Sequence, residues 1–552
     1  MSKNLSELSS RKGVIDNLFD KIGDEAAKNN GTVSNHAINE LASEYLMGKA
    51  NIFGSASFYD FTRTNNKDKK IYVCNGSACK TAKTQHHVKE KLLHYFKDEE
   101  IGDMCCLGRC YENSAFAYNH HNYSGTDIQD FNPNLNEPFS ALPTHSYHVS
   151  ALGTPILTQD IPEPKIYYAL LHSALKTPPT ELLEEVKKSN LKGRGGAGFP
   201  TYIKMEGCMK TPDDTKFIVC NADEGDPGAY SDRFLLEQKP DSVLLGMILS
   251  GYIVGANWGV LYIRAEYPES IRIVEDRLLA LYELGYLGSD ILGSGFNFDI
   301  KVIKAQGAYI CGEESALLNS IEGQRPEVRT RPPYPAQQGL FNKPTAINNV
   351  ETLACLPYII KNGGDQFAKL GTSKTTGTKL ICLDGFFNKP GLIEVEMGTP
   401  LSTVVNELGQ GFKVPVKALH IGGPLGGIVP IHKIDELTID FENFSSHGFL
   451  LGHASVVCIP EDYPLINYLE HLFEFTAHES CGKCFPCRIG SVRGKELLKR
   501  ARQGSDKIDG ALFSDLLDTL QFGSLCALGG GLPLPIRNSL KYFDEELKQY
   551  FE

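Results

Sequence analysis

The order of apolar and polar residues divides the chain into segments with different periods. Residues 1–30 are polar throughout and predict a mobile N-terminus. A helical pattern covers residues 33–46, and an aromatic-rich stretch follows at 53–61. Residues 71–74 read as a short strand. Residues 87–96 read as an amphipathic helix with Val88, Leu92, Leu93 and Phe96 on one side. Residues 113–136 carry Pro133 and several Asn, a loop composition, and Pro155, Pro162 and Pro164 mark 146–164 as a connection. Pro178 and Pro179 open a helix whose apolar side includes Leu182, Leu183 and Val186. Strands are expected at 216–220 and 300–302. From Thr378 to about Pro430 the texture is short strands between Gly/Pro turns, and beyond Tyr463 the helical period returns.

Residues 243–263 hold no charge and are long enough to span a bilayer. Gly246, Gly251, Gly255, Asn257 and Gly259 interrupt the run, Asp241 and Arg264 flank it closely, and no second such run exists. A buried helix leading into a buried strand is therefore expected, with no membrane span.

Composition narrows the function. A chain of 552 residues predicts three to five domains, and 41 % hydrophobic with 22 % charged residues is ordinary for a folded protein. A net charge of −12 argues against broad nucleic-acid binding, which needs cations to neutralise phosphates. The 15 cysteines follow an N-terminus without an apolar targeting segment. That combination predicts metal or redox chemistry in a reducing, cytoplasmic setting rather than disulfides.

Two cysteine groups stand out. Cys481, Cys484 and Cys487 form C-x2-C-x2-C, with Cys526 far downstream. Three thiolates at that spacing wrap one corner of a cube and a fourth comes from a distant loop, which suits a [4Fe–4S] cluster. A four-cysteine zinc site usually shows two separated C-x2-C pairs instead. Gly482, Pro486 and Gly490 shape the loop, and Arg488 adds positive charge beside it. Upstream, Cys74-x4-Cys79 and Cys106-x3-Cys110 are two pairs on two loops, suited to a [2Fe–2S] rhomb. Cys105 leaves the third ligand open on spacing alone. The remaining cysteines, Cys208, Cys220, Cys311, Cys355, Cys382 and Cys458, read as core residues.

The string Gly193-Arg194-Gly195-Gly196-Ala197-Gly198 matches G-x-G-x-x-G, but a helix rather than a strand precedes it. It is not the usual dinucleotide fingerprint, yet its bare backbone can approach a phosphate and Arg194 can add a bidentate partner. Polar clusters at 221–228, 309–314 and 347–352 interrupt core-like sequence. Each alone is explained by turn and cap chemistry. Together they suit a ligand pocket at strand ends, fit for a ribityl chain, a flavin edge or a ribose.

The strings GRGGAGFPT, NADEGDPGAY, YICGEESALLNSIEG, KPTAINNVETLA and ESCGKCFPCRIG closely resemble the family of the NADH-oxidising flavoprotein of complex I, over about Pro164 to Glu552. Residues 31–148, with FGSASFYDF, C-x4-C and CLGRC, resemble the 24-kDa-type component of complex I, a thioredoxin-like [2Fe–2S] fold. Its CLGxC motif selects Cys106 and Cys110 over Cys105. The fused arrangement resembles the diaphorase subunit of soluble NAD-reducing [NiFe] hydrogenases. The ending SLCALGGGLPLPIRN also resembles that of NAD-dependent formate dehydrogenases.

The resemblance implies an α/β multidomain chain. Its expected parts are a flexible N-terminus (1–30), a thioredoxin-like [2Fe–2S] domain (31–147) and a linker (148–165). A Rossmann-like FMN/NAD domain (166–372), a β-grasp-like domain (373–457) and a helical [4Fe–4S] domain (458–552) follow. Expected cofactors are FMN, NAD and the two clusters. FMN contacts are implied at Gly193, Arg194, Gly195, Lys204, Asn221, Asp223, Glu224, Gly225, Tyr309, Gly312, Glu313, Asn348, Asn349 and Thr352. Dinucleotide contacts are implied at Phe199, Asp226, Glu314, Arg331 and Tyr334, with Glu224 and Glu314 as the catalytic acids. Tyr202 stands where the family usually has Gly, Gly207 replaces an aromatic, and Arg331 and Tyr334 replace the commoner Lys and Phe. Expected partners are an iron–sulfur electron-transfer subunit and a hydrogenase or formate dehydrogenase catalytic subunit, in a hetero-oligomer. A different class, a non-catalytic electron conduit with a degenerate nucleotide site, is kept open by Gly207.

Overall fold

Asn17 opens the first described helix: its Oδ1 accepts the N–H groups of Phe19 (2.8 Å) and Asp20 (3.2 Å) and caps Leu18–Lys28. The structure, a computed structural model, describes residues 13–125 and 147–552, with Ile128, Phe131 and Pro133 between them. The expectation of a mobile segment through residue 30 is therefore corrected for 17–28. Leu18, Phe19, Ile22 and Ala26 form a buried stripe that the polar composition hides, and Asn17 Nδ2 donates to the Ile321 carbonyl at 2.8 Å. Residues 1–12 lie outside the described residues.

The first sheet has the order β2-β1-β3-β4, from β1 (Ile71–Cys74), β2 (Ile101–Met104), β3 (Ala115–Tyr118) and β4 (His121–Ser124). β1 and β2 are parallel and β3 and β4 antiparallel. The loop expected at 113–136 is corrected over its first part, which is the β3–β4 hairpin. Asn119 and His120 both take positive φ, as a two-residue hairpin turn demands, so Asn here marks a turn rather than a long loop. Much of 126–146 lies outside the described residues. The connection expected at 148–165 opens with a strand, β5 (His148–Leu152), which pairs parallel with β11 (Gly391–Glu396).

The central sheet is fully parallel in the order β8-β7-β6-β9, with β6 (Phe217–Ala222), β7 (Trp258–Ile263), β8 (Asp299–Lys304) and β9 (Thr345–Asn349). The uncharged run resolves as expected into the helix Pro240–Val254 and β7. Gly255 (φ 73°) caps that helix in the left-handed region a side chain resists. Among the described residues no helix is long and apolar enough to cross a membrane. A third, mixed sheet has the order β13-β12-β14-β10-β11-β5, with β10 (Thr378–Leu383), β12 (Val416–Ile421), β13 (Gly427–Pro430) and β14 (Ser455–Pro460). The β-rich unit thus borrows β5 and runs to Pro460, past both edges expected at 373–457. Helices Leu465–Glu479, Phe485–Arg502 and Gly510–Gly523 complete the chain with shorter ones.

Candidate functional site

The polar strings meet at the C-terminal ends of β6 and β9, where parallel α/β sheets place ligands. Pairing sets Asn221 opposite Asn349. Asn221 Nδ2 donates to the Gly312 carbonyl at 2.9 Å. The Arg194 N–H donates to Thr352 Oγ1 at 2.8 Å, and a Cβ on Gly195 would lie 3.0 Å from Asn349 Cβ. A Cβ on Gly225 would lie 2.6 Å from the Tyr309 ring, so bare backbone is required there. Asn348 Nδ2 and Asp223 Oδ2 are enclosed and take no hydrogen bond. Burial pushes the Asp223 carboxyl well above the usual range, against the opposing pull of Arg264. Unpartnered polar atoms beside bare glycines fit a polar, planar ligand with a phosphorylated chain, and FMN meets that description.

Two expected contacts are committed elsewhere. The Arg194 side chain is fully buried and donates to the carbonyls of Lys192 (3.3 Å) and Thr376 (2.5 Å), bracing the loop rather than reaching out for a phosphate. The Glu224 carboxylate accepts the N–H groups of Asp232 (2.9 Å) and Arg233 (3.1 Å), capping the Ser231–Gln238 helix, and takes the Tyr267 hydroxyl at 3.2 Å. Both oxygens of Glu224 are thereby occupied by the chain itself, an arrangement that suits a positioning group.

The residues expected for the dinucleotide gather at the mouth. Phe199 and Tyr334 are 45 % and 54 % exposed, with Lys204 Nζ 5.9 Å from the centroid of the Phe199 ring. Arg331 bridges Glu313 (2.6 Å) and Glu314 (2.7 Å), and Lys204 reaches the other oxygen of Glu314 at 3.2 Å. Glu313 also caps the Glu314–Ile321 helix through the Ser315 and Ala316 N–H groups. Asp226 is drawn inward, its Oδ1 accepting the Tyr309 hydroxyl at 2.7 Å. At Gly207 a Cβ would lie 3.3 Å from that of Ala336, so the Pro335–Gln338 turn occupies space an aromatic would need.

Both cysteine sets converge. Cys106 and Cys110 hold their Sγ atoms 3.2 Å apart, and the Cys74 thiol makes hydrogen-bond contact with Cys79 and Cys106, so the four thiols follow one another in a single chain of contacts. Cys105 is not part of that chain, and its carbonyl accepts from Arg264. The Cβ position of Gly76 lies 3.4 Å from Cys106 Cβ and 3.5 Å from Pro227 Cβ, so this site rests directly on the 224–228 loop. In the second set, Cys484 and Cys526 stand at the residues that open the helices Phe485–Arg502 and Ala527–Gly531, and Cys481 and Cys487 are near enough to act on Cys526. Glu313 acts on Cys526 as well, which places this site beside the mouth cluster. Arg488 stacks over Phe485, 4.8 Å from the ring centroid.

Sequence reasoning missed His453 and Asp232, and gave no role to Arg264 or Glu479. Asp232 lies two residues past the NADEGDPGAY string, Arg264 was visible only as a flanking charge, and Glu479 opens the ESCGKCFPCRIG string. His453 had no local signal, since it lies between a Gly turn and β14.

Comparison with known proteins agrees with this geometry. The chain matches the models of the Nuo51 FMN-binding domain over residues 186–358 and the NADH-ubiquinone oxidoreductase-F iron-sulfur binding region over 467–550. It matches the thioredoxin-like [2Fe-2S] ferredoxin model over 10–137. It is 42 % identical over 390 residues to an NADH-quinone oxidoreductase component of Rhizobium meliloti, spanning 70 % of this chain and 92 % of that protein. It is 42 % identical over 388 residues to the NADP-reducing hydrogenase subunit HndC of Solidesulfovibrio fructosivorans, spanning 70 % and 79 %. The crystal structure of an air-oxidized NAD+-reducing [NiFe]-hydrogenase aligns with a TM-score of 0.83 at 27 % identity, over 97 % of this chain and 93 % of that one.

Proposed function

The chain belongs to the family of NADH-oxidising flavoproteins of complex I, and on that premise we propose that it is the NAD-reactive diaphorase module of a hydrogenase. FMN, when bound, accepts a hydride from NADH and releases electrons singly, which one-electron clusters require. Gly193, Gly195, Gly225, Asn348, Asn349 and Thr352 would hold it, with Asp223 and Asn221 at its polar edge. Phe199 and Tyr334 would stack on the dinucleotide, while Glu314, Lys204 and Arg331 orient its sugar and phosphates. Cys481, Cys484, Cys487 and Cys526 would ligate the [4Fe–4S] cluster. Cys74, Cys79, Cys106 and Cys110 would ligate the [2Fe–2S] cluster.

The observation that carries this reading is one polar cradle whose 224–228 loop touches one cysteine set and whose Glu313 neighbours the other. Arg331 is already paired with two carboxylates, which favours NAD over NADP because a 2′-phosphate would compete with both. Phe485, Ile489, Val492, Phe522 and Leu525 are large exposed apolar side chains flanking Cys484 and Cys526. They suit the docking of an iron–sulfur subunit that takes electrons onward to a hydrogenase catalytic subunit in the cytoplasm. The 97 % coverage by a hydrogenase chain favours that partner over a formate dehydrogenase.

NADH oxidation by the purified chain with an artificial one-electron acceptor tests the reading. Flavin and iron in the protein with NADH-dependent turnover support it; iron and flavin without turnover would leave the conduit reading.

A further inference from the structure

We propose that His453 is a positioning residue for the flavin: its buried ring, set between the Glu224 and Asp232 carboxylates, clamps the 224–228 loop and the adjoining helix to the β-rich unit. The inference rests on the reading that the glycine-rich loop and Asn349 hold FMN.

Nε2 of His453 lies 3.5 Å from Asp232 Oδ2 and 3.7 Å from Glu224 Oε1. The three residues are 5 %, 1 % and 4 % exposed, and neither ring nitrogen makes a hydrogen bond. Asp232 Oδ2 also accepts Asn349 Nδ2 at 2.6 Å, which carries the contact into the flavin site. The His453 backbone nitrogen lies 3.7 Å from the Cβ position of Gly196, whose φ is +113°. One residue therefore touches the glycine-rich loop through its backbone and reaches the opposite loop through its ring.

Two carboxylates enclosed together repel, and neither has a basic side chain as its ion-pair partner among the described residues except this ring. Glu224 and Asp226 face His453 from the loop and Asp232 from the helix; Lys379 faces it from β10 and is itself paired with Glu351. The acids outweigh Lys379 and the burial penalty, and hold the imidazole up at about 9. A folded value above the ordinary one means the stabilisation is full below about 6.5 and is lost as pH rises through about 9. Removing the cation leaves a more negative site and makes a flavin there harder to reduce.

The test uses the full chain loaded with FMN and clusters, as wild type, His453→Gln and His453→Lys. Flavin release on dilution is followed from pH 6 to 10 by recovered fluorescence, and the flavin potential by spectroelectrochemistry. Expected are faster release of wild-type flavin above pH 9, and release from His453→Gln about tenfold faster at pH 7 with no further rise. Its flavin potential falls while both cluster signals persist, and His453→Lys recovers the slow release at pH 10. A flat wild-type profile across pH 9 overturns the inference even if the variants fail to fold. So does a His453→Gln protein matching wild type in release and potential, or one divalent metal equivalent lost with the ring. A wild-type chain retaining no flavin would sink the flavin reading along with it; retention with an unchanged variant sinks the inference alone.

Discussion

Nη2 of Arg264 donates to the carbonyl oxygen of Cys105 at 3.1 Å, so the chain segment beside Cys106 hangs on a side chain from the end of β7. The other terminal nitrogen donates to the Glu224 carbonyl, and the guanidinium pairs with buried Glu266 at 2.8 Å. One arginine thereby joins the 224–228 loop to the Cys105–Cys110 loop. Arg264→Met removes both links and strands the Glu266 charge, a class of change that costs about 3–5 kcal/mol. A lower melting temperature and an altered [2Fe–2S] EPR signal are expected, with the [4Fe–4S] signal unchanged.

Glu314 and Glu224 separate by the partners that hold them. Glu314 is held only by side chains at the mouth, whereas Glu224 caps a helix. Glu314→Gln should raise the KM for NADH several-fold with full FMN content. Glu224→Ala should lose the cap, about 1 kcal/mol or more, and release FMN. Steady-state kinetics beside flavin quantitation checks both, and equal flavin loss in the two variants contradicts the assignment.

The cysteine assignment predicts a clean split. Cys526→Ala should abolish the [4Fe–4S] EPR signal and spare the [2Fe–2S] signal. Cys110→Ala should do the reverse, and Cys105→Ser should keep both, since the contacts that join the other four thiols do not include it. Loss of the [2Fe–2S] signal in Cys105→Ser would exchange the roles of Cys105 and Cys106.

Much of this was legible in the sequence because the chemistry sits in contiguous strings. Cys481 to Cys487, the glycine-rich loop and the strand-end acids announce themselves by spacing. The helix–strand nature of 243–263 was legible from its glycines and flanking charges. What was not legible depends on partners distant in the chain. Arg194 turns inward because the Thr376 carbonyl awaits it, 182 residues away. Glu224 is absorbed by a helix that begins beyond its own motif. β5 is a strand only because β11 offers an edge, and helix 18–28 folds only because its apolar stripe meets other elements.

Asp384 gives a pH prediction. Its carboxylate accepts the N–H groups of Cys458 (2.8 Å) and Phe386 (3.0 Å), yet burial still raises it from 3.8 to about 7. The folded chain then binds more protons than the unfolded one between those values, so this group's contribution falls as pH rises through them. The slope is about 1.4 kcal/mol per pH unit. Asp384→Asn should flatten the decline in melting temperature between pH 5 and 7; a steeper decline would contradict the sign.

The apolar side chains around Cys484 and Cys526 predict where the proposed diaphorase hands electrons on. Phe522 is 79 % exposed and Val492 43 %, on two helices that pack together beside Cys484 and Cys526. Solvent-facing side chains of this size gain from burial in a complex, roughly 1.5–3 kcal/mol each when fully covered. They contribute little to the fold of the isolated chain. Phe522→Glu with Val492→Glu should therefore leave NADH-driven reduction of a small artificial acceptor intact. The same pair should weaken co-purification with the iron–sulfur partner and slow electron delivery to it. If co-purification and transfer are both undiminished, the partner docks on another face.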